Sequence, residues 1–259
     1  MIVFDPNIHV REIVIVGLGG TGTQVARSVA RLIYEMKRSG LHTPQVRFID
    51  PDTVEEKNIG RQLFSYGDIG HNKAQVLAAR FNAALGLEIA AVDQPVNAQN
   101  HFERYSTSLV IGAVDNEGAR CELAKIQGAL WLDCGNFKNA GQVILGNLGD
   151  RAAMLRQMKE KTDKYRYLPH AGLLFPALLE PEVVEIPTTP SVSCADLVAL
   201  GEQALFVNDL MAAVAAQYLW RLLYRQPIHT FVSFIDGDSL SVRSVPICQD
   251  ELMPYLEIA

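Results

Sequence analysis

Residues 13–22 read IVIVGLGGTG. The four apolar residues 13–16 predict a buried β-strand, and residues 23–36 after the glycines predict a helix. Between them lie four glycines that contain the spacing G-x-G-x-x-G: Gly17, Gly19, Gly20 and Gly22. A strand, a glycine turn and a helix in this order can bind a nucleotide phosphate, because glycines let the backbone approach it and the helix N-terminus presents free N–H groups. A glycine-rich turn without a ligand is the alternative.

The composition is that of an ordinary globular protein. The chain has 259 residues, of which 49% are hydrophobic and 20% charged, with a formal net charge of −6. A chain of this length can bury about three quarters of its unfolded surface, so it needs no disulfides or structural metals to form a stable core. The acidic balance and the lack of a long basic run argue against binding to nucleic acid or to a membrane surface.

The cysteines and the apolar segments predict a cytoplasmic protein. No C-x-x-C pair occurs among the four cysteines, which argues against a zinc ribbon and a disulfide framework. The N-terminus lacks the basic start and long apolar core of a signal peptide. The most apolar long segment, residues 204–224, contains four polar or charged side chains, which argue against a membrane span: Asn208, Asp209, Gln217 and Arg221.

Strands alternate with helices through the first half of the chain. Further strands are predicted at residues 45–50, 87–92, 108–114, 130–133 and 141–146, and helices at 72–85 and 117–127. This alternation predicts an α/β fold with a doubly wound, Rossmann-like, mostly parallel sheet and helices on both faces.

The second half has a different pattern. Helices are predicted at residues 151–164 and 206–224, and a proline-rich connection at 169–190. The apolar stripe of the second helix is interpreted as core. Residues 230–235 and 240–245 flank the turn DGDS and predict a hairpin that extends the sheet antiparallel. We expect a single domain over residues 1–259, with a nucleotide-binding half at 1–147 and the connection, long helix and hairpin at 148–259.

Polar side chains follow the predicted strands at their carboxyl ends, where doubly wound sheets bind ligands. Arg61 and Lys73 would bring two positive charges towards the glycine turn, and Asp115 would bring a carboxylate. Two cations and an acid near a phosphate site suit a triphosphate with Mg²⁺ better than a nicotinamide cofactor. Asp50 could bond a ribose or only cap the turn before Pro51, and His71 is interpreted as solvated. The polar set at the strand ends consists of Asp50, Asn58, Arg61, Gln62, Lys73 and Asp115.

Four motifs occur in order between residues 13 and 146: GLGGTG, IDPDTVEEKNIGRQLF, DIGHNKAQVLAARFN and VIGAVDN. Together they resemble the ubiquitin-activating-like adenylyltransferases of ThiF/MoeB type. The N-x-x-R-Q element that begins at Asn58 is the most specific part, and the Gly141-Gln142 step resembles the family's G-Q strand. Within the family, the chain looks most like the ThiF-like proteins of PRTRC plasmid-associated gene systems.

The resemblance implies that the chain uses ATP and Mg²⁺ to adenylate the C-terminal carboxylate of a small ubiquitin-like or sulfur-carrier protein that ends in glycine, and that it forms a homodimer. It implies that Asp50 holds the ribose and that Asp115 coordinates magnesium or orients it through water. The residues expected at the phosphates are Asn58, Arg61 and Lys73, and Gln62, Asn116 and the four glycines complete the nucleotide-binding set.

Some relatives form a thioester or persulfide at a cysteine before the last long helix, and Cys194 stands in the comparable place. A thiol at a helix N-terminus would have a lowered pKa and be a better nucleophile. The alternative is a loop cysteine without a role. Cys134 is the second candidate, Cys121 is interpreted as packing, and Cys248 as inert.

Two features depart from the family pattern. The two C-x-x-C pairs that bind structural zinc in many members are missing, so no zinc is expected. The N-terminal segment that supplies a catalytic arginine has no match, since Arg11 abuts the first strand. Two other functions therefore stay open. A nucleotide-dependent oxidoreductase would use the glycine turn and Asp50 but would not explain Arg61 and Lys73, and an adaptor would bind ATP without turnover.

Overall fold

A computed structural model describes residues 2–102, 108–147, 151–160, 162–180 and 206–257. The strands are β1 Val3–Phe4, β2 Glu12–Val16, β3 Gln45–Ile49, β4 Ala90–Val92, β5 Ser108–Gly112, β6 Leu130–Phe137, β7 Ala140–Asn147, β8 Lys164–Tyr165, β9 Thr230–Asp236 and β10 Ser241–Pro246. The helices are α1 Gly20–Arg38, α2 Lys73–Leu85, α3 Ala98–His101, α4 Glu117–Ala124, α5 Arg151–Lys159, α6 Ala171–Leu174, α7 Val207–Leu223 and α8 Gln249–Glu257.

An eight-stranded sheet in the order β10-β9-β7-β6-β5-β2-β3-β4 forms the centre of the fold. The strands from β4 to β6 in this order pair in parallel, and β7, β9 and β10 are antiparallel to their neighbours. The predicted α/β sheet with an antiparallel C-terminal hairpin is therefore confirmed. The strands β1 and β8, which were not predicted, form a separate two-stranded parallel sheet.

The hairpin between β6 and β7 corrects the prediction that residues 130–133 and 141–146 continue the parallel pattern. β6 runs on to Phe137, and only Lys138 and Asn139 separate it from β7. Two parallel strands need a crossover of a dozen or more residues, whereas antiparallel strands can be joined by two. The short connection therefore makes β7 antiparallel.

Helices cover both faces of the sheet. Successive side chains of a strand point to opposite faces, so Asp133 and Asn136 of β6 point in opposite directions. Asp133 contacts Arg120 of α4, and Asn136 donates a hydrogen bond to Asn208 of α7. α4 and α7 thus lie on opposite faces, as a doubly wound arrangement requires.

The segments after β7 differ from the prediction in their bounds. α5 ends at Lys159, where β8 follows within five residues, instead of continuing to residue 164. The predicted proline-rich connection begins with α6 and the 3₁₀ turn Pro176–Leu179, and its residues 181–190 lie outside the described part. The C-terminal α8 was not predicted. Within the described ranges, no helix combines the length and apolar character needed to cross a bilayer.

Chain order reverses direction across the sheet at β2. From β2 the chain adds β3 and β4 on one side and then returns to place β5 on the other side. Loops that leave β2 and β5 at their carboxyl ends therefore diverge and leave a crevice, which is where open α/β sheets bind ligands.

Candidate active site

The glycine turn between β2 and α1 is tightly packed on neighbouring backbone. Gly17 has a φ of +85°, and a β-carbon there would lie 2.6 Å from the Ala113 carbonyl oxygen. A β-carbon on Gly22 would overlap the carbonyl oxygen of Gly17. By contrast, no atom lies within 4 Å of the position that a β-carbon would take on Gly19. The turn therefore needs glycine at two of these positions and leaves space at the third.

We expect Gly22→Ala to lower the free energy of unfolding by about 1–3 kcal/mol, because the new methyl group meets backbone that cannot move without opening the turn. Gly19→Ala is the matched control and should change stability by less than about 0.5 kcal/mol. Urea denaturation of both variants measures the difference. Equal stability of the two variants would contradict this account of the turn.

Asp50 ties the end of β3 to the glycine turn. Its Oδ2 accepts a hydrogen bond of 2.5 Å from the Leu18 N–H, and its Oδ1 accepts one of 2.9 Å from the Asp52 N–H. Burial raises the pKa of this carboxyl, and the charge of Lys73 opposes that shift. Asp50 thus caps the turn before Pro51 and also anchors the glycine turn, while its role at a ribose stays a prediction.

Lys73 enters the site from the first position of α2. Asn72 caps this helix, and its Nδ2 donates to the Asp50 carbonyl oxygen at 2.8 Å. The Lys73 side chain is buried, and its Nζ lies 2.9 Å from Oδ2 of Asp52. Sequence reasoning missed Asp52, although it belongs to the same motif as Asp50.

The loop between β3 and α2 carries Asn58, Arg61 and Gln62. The side-chain Oδ1 of Asn58 accepts a hydrogen bond of 2.8 Å from the Glu55 N–H. The backbone carbonyl oxygen of Asn58 accepts one of 3.0 Å from the Gln62 N–H. Asn58 and Gln62 are buried and Arg61 is half-buried. Asn58 therefore holds the turn that presents Arg61, and this use of its oxygen was not predicted.

Asp115 and Asn116 follow β5 on the other side of the glycine turn. Asn116 is the N-cap of α4, and its side-chain oxygen accepts a hydrogen bond of 2.8 Å from the Ala119 N–H. In the described part of the chain, no group of three or more His, Cys, Asp or Glu side chains is placed to hold a metal. Asp115 thus offers a single carboxylate, which fits a Mg²⁺ ion held mainly by substrate phosphates and water.

These elements enclose a cavity of about 510 Å³ at the carboxyl ends of the strands. Its volume is in the range of small-molecule sites. His71 is exposed and does not line it, and Cys194 lies outside the described residues. Gly22 lies behind the turn and does not line it either. The remaining predicted site residues all line this cavity: Gly17, Gly19, Gly20, Asp50, Asn58, Arg61, Gln62, Lys73, Asp115 and Asn116.

Among the described residues, neither Cys134 nor Cys121 is poised as a nucleophile. Cys134 lines the cavity but is buried, and burial together with the charge of Asp133 raises the pKa of its thiol. The Cys121 thiol lies 3.2 Å from the Leu179 carbonyl oxygen, to which it donates. A thiol with a raised pKa supplies little thiolate, so the structure disfavours Cys134 as the second candidate nucleophile.

A buried ion pair lies directly behind the cavity, on the other face of β6. Asp133 is fully buried, and its Oδ1 lies 3.5 Å from Nε of Arg120. Burial raises the pKa of Asp133 to about 6, although the Arg120 charge acts to lower it. The charged pair is therefore held at a substantial desolvation cost.

Asn136 and Asn208 also line the cavity, and neither was predicted. The Asn208 side-chain oxygen accepts from the Thr21 hydroxyl at 2.9 Å and from the Asn136 amide at 2.7 Å. The available signal was an asparagine in the first turn of a mostly apolar helix. Sequence reasoning interpreted that helix as core and counted Asn208 only against a membrane span.

Known proteins share this fold. A model of the ThiF family matches residues 7–251. E. coli MccB has a TM-score of 0.55 and 16% sequence identity, over 91% of this chain and 62% of that chain. PaaA has a TM-score of 0.56 and 16% sequence identity, over 91% of this chain and 64% of that chain. The chain therefore spans less than two thirds of the length of these proteins. A search of curated protein sequences gives no significant match.

Proposed function

Because the chain belongs to the ThiF family, we propose that it is an ATP-dependent adenylyltransferase of the ubiquitin-activating type. Its substrate is the C-terminal carboxylate of a small ubiquitin-like or sulfur-carrier protein. One carboxylate oxygen attacks the α-phosphorus of ATP, the bond to the bridging oxygen breaks, and pyrophosphate leaves. The product is an acyl adenylate on the partner's C-terminus.

The observation that carries this proposal is the charge arrangement around the glycine turn. Arg61 and Lys73 line the cavity from the β3 side, and Asp115 lines it from the β5 side. A triphosphate brings several negative charges, and two cations stabilise both its binding and the pyrophosphate that leaves. A nicotinamide cofactor would use the glycine turn and Asp50 but would not explain the presence of Arg61 and Lys73.

Asp115 is the residue that would hold Mg²⁺, with the phosphates of ATP as the other ligands. The ion supplies charge neutralisation to the triphosphate. Asn116 holds the start of α4 and so supports the neighbouring Asp115, which lines the cavity.

The class of substrate is supported by what MccB is known to bind. MccB has been solved with ATP, and with AMPCPP together with MccA. At 16–17% identity these structures share only the fold, so the type of partner in this chain belongs to the proposal. We further propose that the chain is a single adenylation domain, that it works as a cytoplasmic homodimer and that it groups with PRTRC-associated proteins. In a second proposed step, the thiolate of Cys194 attacks the carbonyl carbon of the acyl adenylate, the bond from that carbon to the AMP oxygen breaks, and AMP leaves as the thioester forms.

Pyrophosphate exchange tests the function. Small proteins with a free C-terminal glycine are captured from the native host and added one at a time with ATP and labelled pyrophosphate. We expect exchange that needs both the partner and Mg²⁺ and that stops when a chelator removes the ion. Thermal stabilisation by NAD and not by ATP would favour an oxidoreductase. Stabilisation by ATP with no exchange for any partner would favour an adaptor.

A further inference from the structure

Asn208 has an unusual environment for a residue in an apolar helix. It lies in the first turn of α7, is 2% exposed, and lines the cavity together with the glycine turn. The hydrogen bonds from Thr21 and Asn136 both end on its Oδ1. They fix the orientation of the amide and direct its Nδ2 away from them.

The Nδ2 of Asn208 lies over the start of α1. It is 2.5 Å from the position that a β-carbon would take on Gly20, so it packs directly on the backbone of that glycine. Among the described residues it has no hydrogen-bond partner, although the atom is buried. A buried N–H without an acceptor costs about 1–3 kcal/mol, and such a group in a ligand cavity indicates that the ligand supplies the acceptor.

We propose that Asn208 is a further nucleotide-binding residue, whose Nδ2–H donates a hydrogen bond to a phosphate oxygen of bound ATP. The backbone N–H groups at the N-terminus of the 19-residue α1 attract a phosphate to the same place. The side-chain amide adds a donor beside these N–H groups, from the first turn of α7. This inference rests on the proposed nucleotide binding but not on adenylation.

Asn208→Ser tests the contact, since it removes Nδ2 without adding charge and keeps a hydroxyl that can accept from Thr21. We expect its affinity for ATP to fall roughly ten- to hundredfold, as for a lost hydrogen bond to a charged group. Gln217→Ser is the matched control, because it removes an exposed side-chain amide from the same helix, outside the cavity. Its affinity should stay within about threefold of wild type. Calorimetry with Mg²⁺–ATP measures all three proteins.

Adenosine separates a phosphate contact from a general loss of structure. A competition experiment with adenosine should give equal affinities for wild type and Asn208→Ser. The inference is overturned if Asn208→Ser binds ATP as well as wild type, if Gln217→Ser loses as much affinity, or if adenosine binding falls by the same factor. Because these are binding measurements, a protein that binds ATP but performs no exchange contradicts the proposed function and leaves this test intact.

Discussion

Replacing Lys73 with methionine should reduce the rate of pyrophosphate exchange by roughly 10²–10³-fold. The ammonium group is buried at the start of α2 and 2.9 Å from Asp52, so the protein fixes its position before the nucleotide arrives. A fixed cation stabilises the charge that develops on the leaving pyrophosphate without reorganising. Methionine keeps the length of the side chain and removes the charge. Steady-state exchange at saturating partner measures the loss.

Lys57→Met is the control for this prediction. Lys57 lines the same cavity, but its side chain is 40% exposed and pairs with Glu55 at 3.3 Å. Water screens such a group, so its removal should change the exchange rate by less than about threefold. If both variants lose activity equally, the overall positive charge of the cavity matters and the fixed position of Lys73 does not.

The first half of the fold is predictable because its signals are local. The strand, the glycine turn and the helix follow from residues 13–36, and the structure has β2 at Glu12–Val16 and α1 at Gly20–Arg38. The polar residues at the strand ends could be placed in one cavity because parallel strands bring their carboxyl ends together. Nothing in that argument needs contacts between distant parts of the chain.

The missed features depend on contacts between residues far apart in sequence. Asn208 reaches the cavity because α7 packs on the start of α1, although Asn208 lies 187 positions after Thr21 in the sequence. No periodicity in the sequence reports such a contact. The antiparallel β7 was missed for a different reason. The seven residues between the two predicted strands are too few for a parallel crossover, but the alternation of strands and helices before them outweighed this signal.

Arg120→Met should lower the free energy of unfolding at pH 8 by about 3–5 kcal/mol, because it leaves a buried carboxylate without its counter-charge. Asp133 is fully buried behind the cavity, with Arg120 as its ion-pair partner. Burial already raises the pKa of Asp133 from 3.8 to about 6, and removing Arg120 takes away the interaction that opposes this rise. Urea denaturation at several pH values measures the effect.

The pH dependence follows from the direction of that shift. The folded-state pKa is above the unfolded value, so the contribution of Asp133 to stability is fully present below pH 3.8 and is lost as the pH rises through about 6. In Arg120→Met the carboxyl can take up a proton near pH 5, so the destabilisation should be clearly smaller there than at pH 8. Arg120→Met/Asp133→Asn removes both charges and should recover most of the lost stability at pH 8. A loss of equal size at pH 5 and pH 8, unrelieved in the double variant, would mean that Arg120 stabilises the fold by packing and not by its charge.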